Sequence, residues 1–547
     1  MLVLRHGDDG ARGPAPETTP FGYLFADVRH CPDAHLQADA AEALAALGTA
    51  MAAPGPTPNS VIPAVYTYWG QFIDHDLTAN TDTDRPGIAL TTPVPQDPDE
   101  VIGGLRNLRR PRLDLDSVYG DGPHGADAGF YDGPRMRVGR VAPVGLLPIP
   151  PVEDDERDLP RIGTLLADGV ITTDSLPEAL RDDPFRDTLA YIGDLRNDSN
   201  LILAQVHVGY LRFHNRVVES IRAEPARFGV VALDDDTVFD AAQRLVRRQH
   251  EWLVLHDYLE RMTMPGTVEA VIAERASRYR PLPDGEPWMP LECAAAAFRF
   301  GHSMIRDSYD LNRNYGRDSV AKSAIIERLF EYTGRGAVRL QEDHGLSRPS
   351  PFGLEATVLP RDMVWEADRL CDPGASPEGR VARRIDTRIS MPLAQLPNRG
   401  LALDIEPALR GLLRQLPRRN LLRGYVLSLP TGQAAAGELD LPALTAEELR
   451  DDEAPNITAA LEAGGFVDRT PLWFYVLREA AVQGEGNSLG HVGSRILTET
   501  IVGLLLGDPA SHLNDVTPWD PSQGVTLPDG RAIRTIRDFL QFTGVPA

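Results

Sequence analysis

Gln71, Asp74 and His75 fall at i, i+3 and i+4 within the run Trp69-Gly70-Gln71-Phe72-Ile73-Asp74-His75-Asp76-Leu77. On a helix these spacings bring an amide, a carboxylate and an imidazole to one side. An imidazole held there can take and return a proton near neutral pH. Asp76 is rotated by about 100° and must face something else. Further chemistry-bearing residues follow. Arg196 closes Gly193-Asp194-Leu195-Arg196, just ahead of an expected helix N-terminus, and Arg299 precedes His302 by three positions. Asn420 and Arg423 share a helix face, and Asp114 and Asp116 alternate in Leu113-Asp114-Leu115-Asp116-Ser117-Val118-Tyr119-Gly120. The last pair, read as a short extended loop, has oxygen-donor spacing for a hard cation such as calcium. Each motif alone has an ordinary alternative: a hydrogen-bonded core histidine, a solvated turn, a packed helix.

The elements that must position these groups are mostly helical. Val65, Tyr68, Trp69 and Phe72 recur at helical spacing and place His75 on an amphipathic helix. Ahead of it, Gln37 to Met51 is a run of good helix formers, and Pro54 to Pro63 breaks the chain. Residues 1–36 read as an irregular arm, and Asn80 to Glu100 as a loop. Long helices are expected from about Asn200 to Ile221 and from Thr237 to Arg261. They carry His207, His214, His250 and His256, which read as structural. Glu292 to Arg306 reads as one apolar helix whose small residues let a flat partner approach near His302. Leu416 onward and Leu489 to Leu506 add two more helices. The fold class is mainly α with little β. One large helical domain over 60–510 is expected, with an N-terminal arm and helix at 1–59 and a C-terminal extension at 511–547.

Composition narrows the function. Across 547 residues, 55 basic against 79 acidic side chains give a net charge of −24, which argues against general binding to nucleic acid or anionic membranes. Lys322 is the only lysine, an arginine-for-lysine skew that marks GC-rich, bacterial-type coding rather than a function. Cys31, Cys293 and Cys371 form no CxxC or haem-attachment pattern. No apolar stretch has the length of a membrane span, and the first residues lack the apolar core of a signal peptide. A cytoplasmic protein is the expectation, with release by a non-classical route as the alternative.

Taken in order, six segments resemble the animal-type haem peroxidases of the peroxidase-cyclooxygenase superfamily. They are Gly70 to Asp76, Leu113 to Gly120, Gly193 to Arg196, Leu211-Arg212-Phe213-His214-Asn215-Arg216, Phe298-Arg299-Phe300-Gly301-His302 and Asn420-Leu421-Leu422-Arg423. The resemblance implies haem b with His302 as the proximal iron ligand, Asn420 as its hydrogen-bond partner, and Arg299 and Arg423 at the propionates. It implies His75 as the distal acid and base, Arg196 as stabiliser of the charge that develops when the O–O bond breaks, and Gln71 as anchor of a distal water or halide. It implies calcium on Asp76, Asp114 and Asp116, with backbone oxygens of Arg110 and Arg112. The implied activity is oxidation of halides or small phenolic donors by hydrogen peroxide through an iron-oxo haem. The alternatives are a fatty-acid dioxygenase or cyclooxygenase-like enzyme, and a non-catalytic haem-binding interaction protein.

The sequence departs from the family pattern in four places. Arg110 stands where a threonine is usual, and Asp116 where a serine is usual. Ser199 occupies the position of the glutamate that forms a haem ester, and Asn200 that of a methionine that forms a further link in some members. At most one ester, through Asp74, is therefore expected. Arg299 stands where the lipid-oxidising branch carries a radical-bearing tyrosine, which argues against lipid dioxygenation.

Overall fold

The computed structural model describes residues 18–28, 37–52, 58–79, 93–143, 147, 154–183, 186–282, 285–316, 319, 321, 323–334, 358–374, 378–396, 411–412 and 414–544. Most of the expected arm, including Cys31, and residues 80–92 of the expected loop lie outside these.

Helix α1 (Gln37–Met51) forms where Ala and Leu dominate, and strand β1 (Thr19–Gly22) precedes it, so part of the supposed irregular arm is regular. Helix α2 (Val65–Leu77) is buried along nearly its whole length. Phe72 stacks on Tyr210 at 4.4 Å between ring centroids, and Trp69 meets Tyr210 at 5.3 Å and Phe539 at 5.1 Å. Gly70 has no substitute here, because a Cβ would collide with the Tyr258 hydroxyl.

Tyr210 belongs to α3 (Leu201–Ala223), whose first turn is capped by Asn200, its Oδ1 accepting from the Leu203 amide at 3.0 Å. Helix α4 (Asp235–Leu253) begins at the Asp234 cap and runs on through a π-helical turn, Val254–Leu259. These bounds agree with the sequence expectations to within a few residues.

Three expectations are corrected. Glu292 to Arg306 is not one helix: α5 (Leu291–Ala295) stops at Ala296, with φ −131° and ψ −73°, and a 3-10 turn, Ala297–His302, follows. The Arg299 side chain helps end α5, its Nε donating to the Ala294 carbonyl at 2.8 Å. The aspartate loop is not extended, because Leu113 and Leu115 have φ of 53° and 60° and Asp116–Tyr119 closes a helical turn. Pro98–Gly104, inside the expected loop, is a helix capped by Asp97.

Three further helices complete the frame: α6 (Leu416–Val426), α7 (Leu472–Gln483) and α8 (His491–Gly507). The C-terminal α9 (Ile536–Phe542) is no appendage, since Phe539 stacks on Phe213 at 4.2 Å within the same core as Trp69. The strands are short. β1 pairs antiparallel with β3 (Arg106–Asn107) and parallel with β4 (Met289–Pro290), and β2 (Asn59–Pro63) pairs antiparallel with β5 (Val381–Arg383). No described helix is long and apolar enough to cross a membrane.

Candidate active site between two histidines

Helix α2, the start of α3, the turn after α5 and helix α6 enclose one cleft, with a cavity volume of about 110 Å³. From α2 come Tyr68 and the triad Gln71, Asp74 and His75 that the i, i+3, i+4 spacing placed on one side. Ser199 and Asn200 join them from the head of α3, Arg299 and His302 from the 3-10 turn, and Arg419 and Arg423 from α6. In a 3-10 turn residues three apart eclipse each other, so the broken helix still turns Arg299 and His302 the same way. Leu329, Phe330, Leu393 and Leu396 supply apolar wall.

His75 is 1% exposed, and its Nδ1 lies 2.9 Å from Asn197 Oδ1. A carbonyl oxygen only accepts, so with the amide in this orientation His75 carries its proton on Nδ1 and keeps a lone pair on Nε2. The other arm of Asn197, Nδ2, lies 3.0 Å from His207 Nδ1, and His207 is itself fully buried. Burial first, and the Arg196 charge second, push the His75 pKa down to about 3, so the ring is neutral at physiological pH. His207, read as structural from its position, is one residue removed from the site. Only its partnership with Asn197, ten residues earlier in sequence, shows this. Asn200 Nδ2 donates to Gln71 Oε1 at 3.1 Å and orients that amide.

Arg196 does not line the cleft. Its Nη2 donates to the His75 carbonyl at 2.7 Å, its Nη1 to the Thr78 carbonyl at 2.6 Å, and its Nε and Nη2 to Asp194 at 3.0 and 2.5 Å. The guanidinium therefore ties down the C-terminal carbonyls of α2, which carry no other helical partner. Arg196 thus grips the main chain that carries His75, rather than standing in the cleft lining. Burial alone would raise the Asp194 carboxyl, but Arg196 and Arg109 outweigh it and hold that group below the usual carboxylate range. Asp74 receives the Thr78 hydroxyl at 3.1 Å, and burial raises its pKa against the pull of Arg299, Arg196 and Arg423.

On the other wall, Asn420 Nδ2 lies 3.0 Å from His302 Nδ1. Asn420 Oδ1 is buried without a hydrogen-bond partner. A half-turn of the amide exchanges the two arms: Oδ1 then accepts from His302 Nδ1–H, and His302 Nε2 holds its lone pair for a metal. That orphaned oxygen, with three guanidinium groups around the same cleft, fits a flat dianionic group bound through iron to His302. Arg419 was not singled out from sequence, although its place four residues before Arg423 on α6 puts both on one face.

Arginines and backbone amides surround the residues expected to bind calcium. Asp76 does face away from the cleft, toward the aspartate loop, where it accepts from the Ser117 hydroxyl at 2.9 Å and the Leu115 amide at 3.2 Å. Asp116 pairs with Arg109 at 3.2 Å, and Arg110 stands 3.5 Å from Asp114. The Arg110 carbonyl accepts from the Arg112 amide at 2.7 Å, and the Arg112 carbonyl from Arg247 at 3.4 Å. Burial, and then the nearby charges of Asp116 and Asp114, push the Asp76 carboxyl up to about 8, and the three carboxylates lie together beside these guanidinium and backbone donors. Among the described residues no three His, Cys, Asp or Glu side chains are arranged to hold a metal ion.

This helical body, with two histidines facing one arginine-rimmed cleft, is similar in part of its sequence to the animal haem peroxidases. The family model described as animal haem peroxidase matches residues 156–341, which include Arg196, Arg299 and His302. Thyroid peroxidase of Canis lupus familiaris is 28% identical over 331 residues, spanning 60% of this chain and 26% of that one. Heme peroxidase 2 of Caenorhabditis elegans is 28% identical over 134 residues, spanning 23% of this chain and 17% of that one. The chain thus matches only a fraction of these relatives' length. Among solved structures, peroxidase A from Dictyostelium discoideum aligns over 99% of this chain and 97% of its own, with a TM-score of 0.58 and 18% identity. The fatty acid alpha-dioxygenase of Oryza sativa aligns over 90% of this chain and 74% of its own, with a TM-score of 0.54 and 15% identity. At these identities the structures share the fold alone.

Proposed function

We propose that this oxidoreductase is a haem peroxidase that uses hydrogen peroxide to oxidise halides or small phenolic donors. The observation that carries the reading is the placement of a neutral, oriented His75 and an amide-partnered His302 on the walls of one cleft. When bound, haem supplies the redox-active iron at which peroxide is reduced to water. His302 would hold that iron through Nε2, and Arg299, Arg419 and Arg423 would pair with the propionates. His75 Nε2, unprotonated, would accept a proton from hydrogen peroxide and return it to the departing oxygen. Asn197 keeps the ring in the tautomer that does this, and Gln71 offers an amide to a water or halide beside it. Ser199 offers a hydroxyl in place of a second carboxylate, so at most one ester to haem forms, through Asp74.

A lipid dioxygenase, the activity in the name of the rice structure, is the second reading. It is disfavoured because Arg299, three residues before His302, has no phenolic hydroxyl to carry a radical. Steady-state oxidation of guaiacol and of bromide by hydrogen peroxide tests the proposal. His75→Ala is expected to lower kcat/KM for both about 10²- to 10⁴-fold; unchanged activity would refute the mechanism.

A further inference from the structure

Asn200 serves two neighbours at once, capping α3 and lining the cleft beside Gln71. Its Oδ1 accepts from the Leu203 amide at 3.0 Å. A backbone N–H only donates, so this contact fixes which arm of Asn200 is the oxygen. The other arm is the amino group, and Nδ2 donates to Gln71 Oε1 at 3.1 Å, with Ser199 Oγ at 3.5 Å beside it. A donor must meet an acceptor, so the Gln71 amide is fixed in turn, its oxygen held toward Asn200. The arms of an amide are ordinarily open to a half-turn. Here one backbone hydrogen closes that freedom for two side chains in succession.

This chain of polarity leaves Nε2 as the arm that Gln71 offers to the cleft, one helical turn before the unprotonated Nε2 of His75. Among the described residues nothing accepts its two hydrogens. A halide has only lone pairs and needs donors, whereas a phenol brings a hydrogen of its own and is served as well by an oxygen. Arg299, Arg419 and Arg423 in the same cleft add positive charge that favours an anion. We infer that Asn200 is a positioning residue that sets the polarity of the Gln71 amide, presenting its N–H groups to the cleft and so favouring a halide over a phenolic donor. The direction of the amide stands on the hydrogen bonds alone; its effect on substrate choice rests on the proposed peroxidase function.

Two variants test this, and both keep a cap for α3. Asn200→Asp retains an acceptor for Leu203 but has no amino group, so its carboxylate draws Gln71 Nε2 and turns Oε1 toward the cleft. Asn200→Ser adds no charge, and its hydroxyl is too short to hold Gln71. Neutron diffraction from deuterium-exchanged crystals of the haem-free full chain reads the amide arms directly. The amino group of Gln71 is expected toward the cleft in the wild type, and the oxygen in Asn200→Asp. In the haem-loaded protein, the ratio of kcat/KM for bromide to that for guaiacol is expected to fall at least about tenfold in Asn200→Asp and at least about twofold in Asn200→Ser, where half the amides face the wrong way. The bromide dissociation constant, read from displacement of the Soret band, rises in the same order. A Gln71 oxygen facing the cleft in the wild type, or an amide that does not turn in Asn200→Asp, overturns the inference. A wild-type ratio in Asn200→Ser overturns the effect on substrate choice, because the added charge alone would then explain Asn200→Asp. If the chain takes up no haem, the neutron maps still decide the amide, while the proposed function fails separately.

Discussion

At the scale of single residues, the proposed chemistry turns on the proton balance of His75. Its pKa is lowered to about 3 by burial, then by Arg196, so the protonated, inactive form accumulates only as pH falls toward that value. kcat/KM for guaiacol is therefore expected to stay level from pH 8 down to about 5. An acid limb centred near 6.5, the value of an unperturbed imidazole, would show that His75 is not held as described. Asn197→Leu removes the acceptor on Nδ1 and is expected to lower kcat about tenfold with little change in KM, as loss of an orienting partner does. Asn197→Asp keeps an acceptor, adds a charge that favours the imidazolium, and should move the acid limb upward. A purely structural role for Asn197 would leave the pH profile where it was. The sequence showed Gln71, Asp74 and His75 as a cluster because helical spacing alone converges them. It could not show Asn197 with His207, or Arg419, because their partners are set by how α3 and α6 dock against α2.

At the scale of elements, the anchoring of the end of α2 decides what Arg196 does. Asp194 joins two arginines, with Arg109 at 2.6 Å and Arg196 at 2.5 Å, all three buried. Gly193 lets this loop lie against the aspartate turn, where a Cβ would meet the Asp116 and Ser117 carbonyls at 2.8 Å. Arg196→Ala leaves Asp194 and the α2 carbonyls short of donors, and a loss of about 3–5 kcal/mol in unfolding free energy is expected. Chemical denaturation measures this. A fully stable Arg196→Ala protein that has lost its turnover would instead place the guanidinium at the peroxide. Position in sequence placed Arg196 near a helix start correctly, but not the direction of its side chain, which three backbone and carboxylate acceptors determine. The break at Ala296 was equally hidden. No Gly or Pro marks it, and the contacts that hold it come from Arg299 and from Trp473 on α7.

At the scale of the whole molecule, long helices in a mainly α body were legible because apolar periodicity recurs over many turns. The short strands were not, since pairs such as Phe21 with Met289 join segments far apart in sequence. The aspartate loop was legible as a motif from its alternating carboxylates, whereas the pairing of Asp116 with Arg109 was not, because Arg109 reaches it only through the fold. Dialysis against a chelator is accordingly expected to leave Tm unchanged, and a fall of several degrees would show that calcium enters after all.

The central claim, haem held between His75 and His302, is tested most directly by absorption titration of the purified chain with haem. The account predicts a Soret band that saturates at one haem per chain and is lost or strongly displaced in His302→Ala, with His75→Ala still binding. The absence of a saturating Soret band, or one indifferent to His302→Ala, would contradict it.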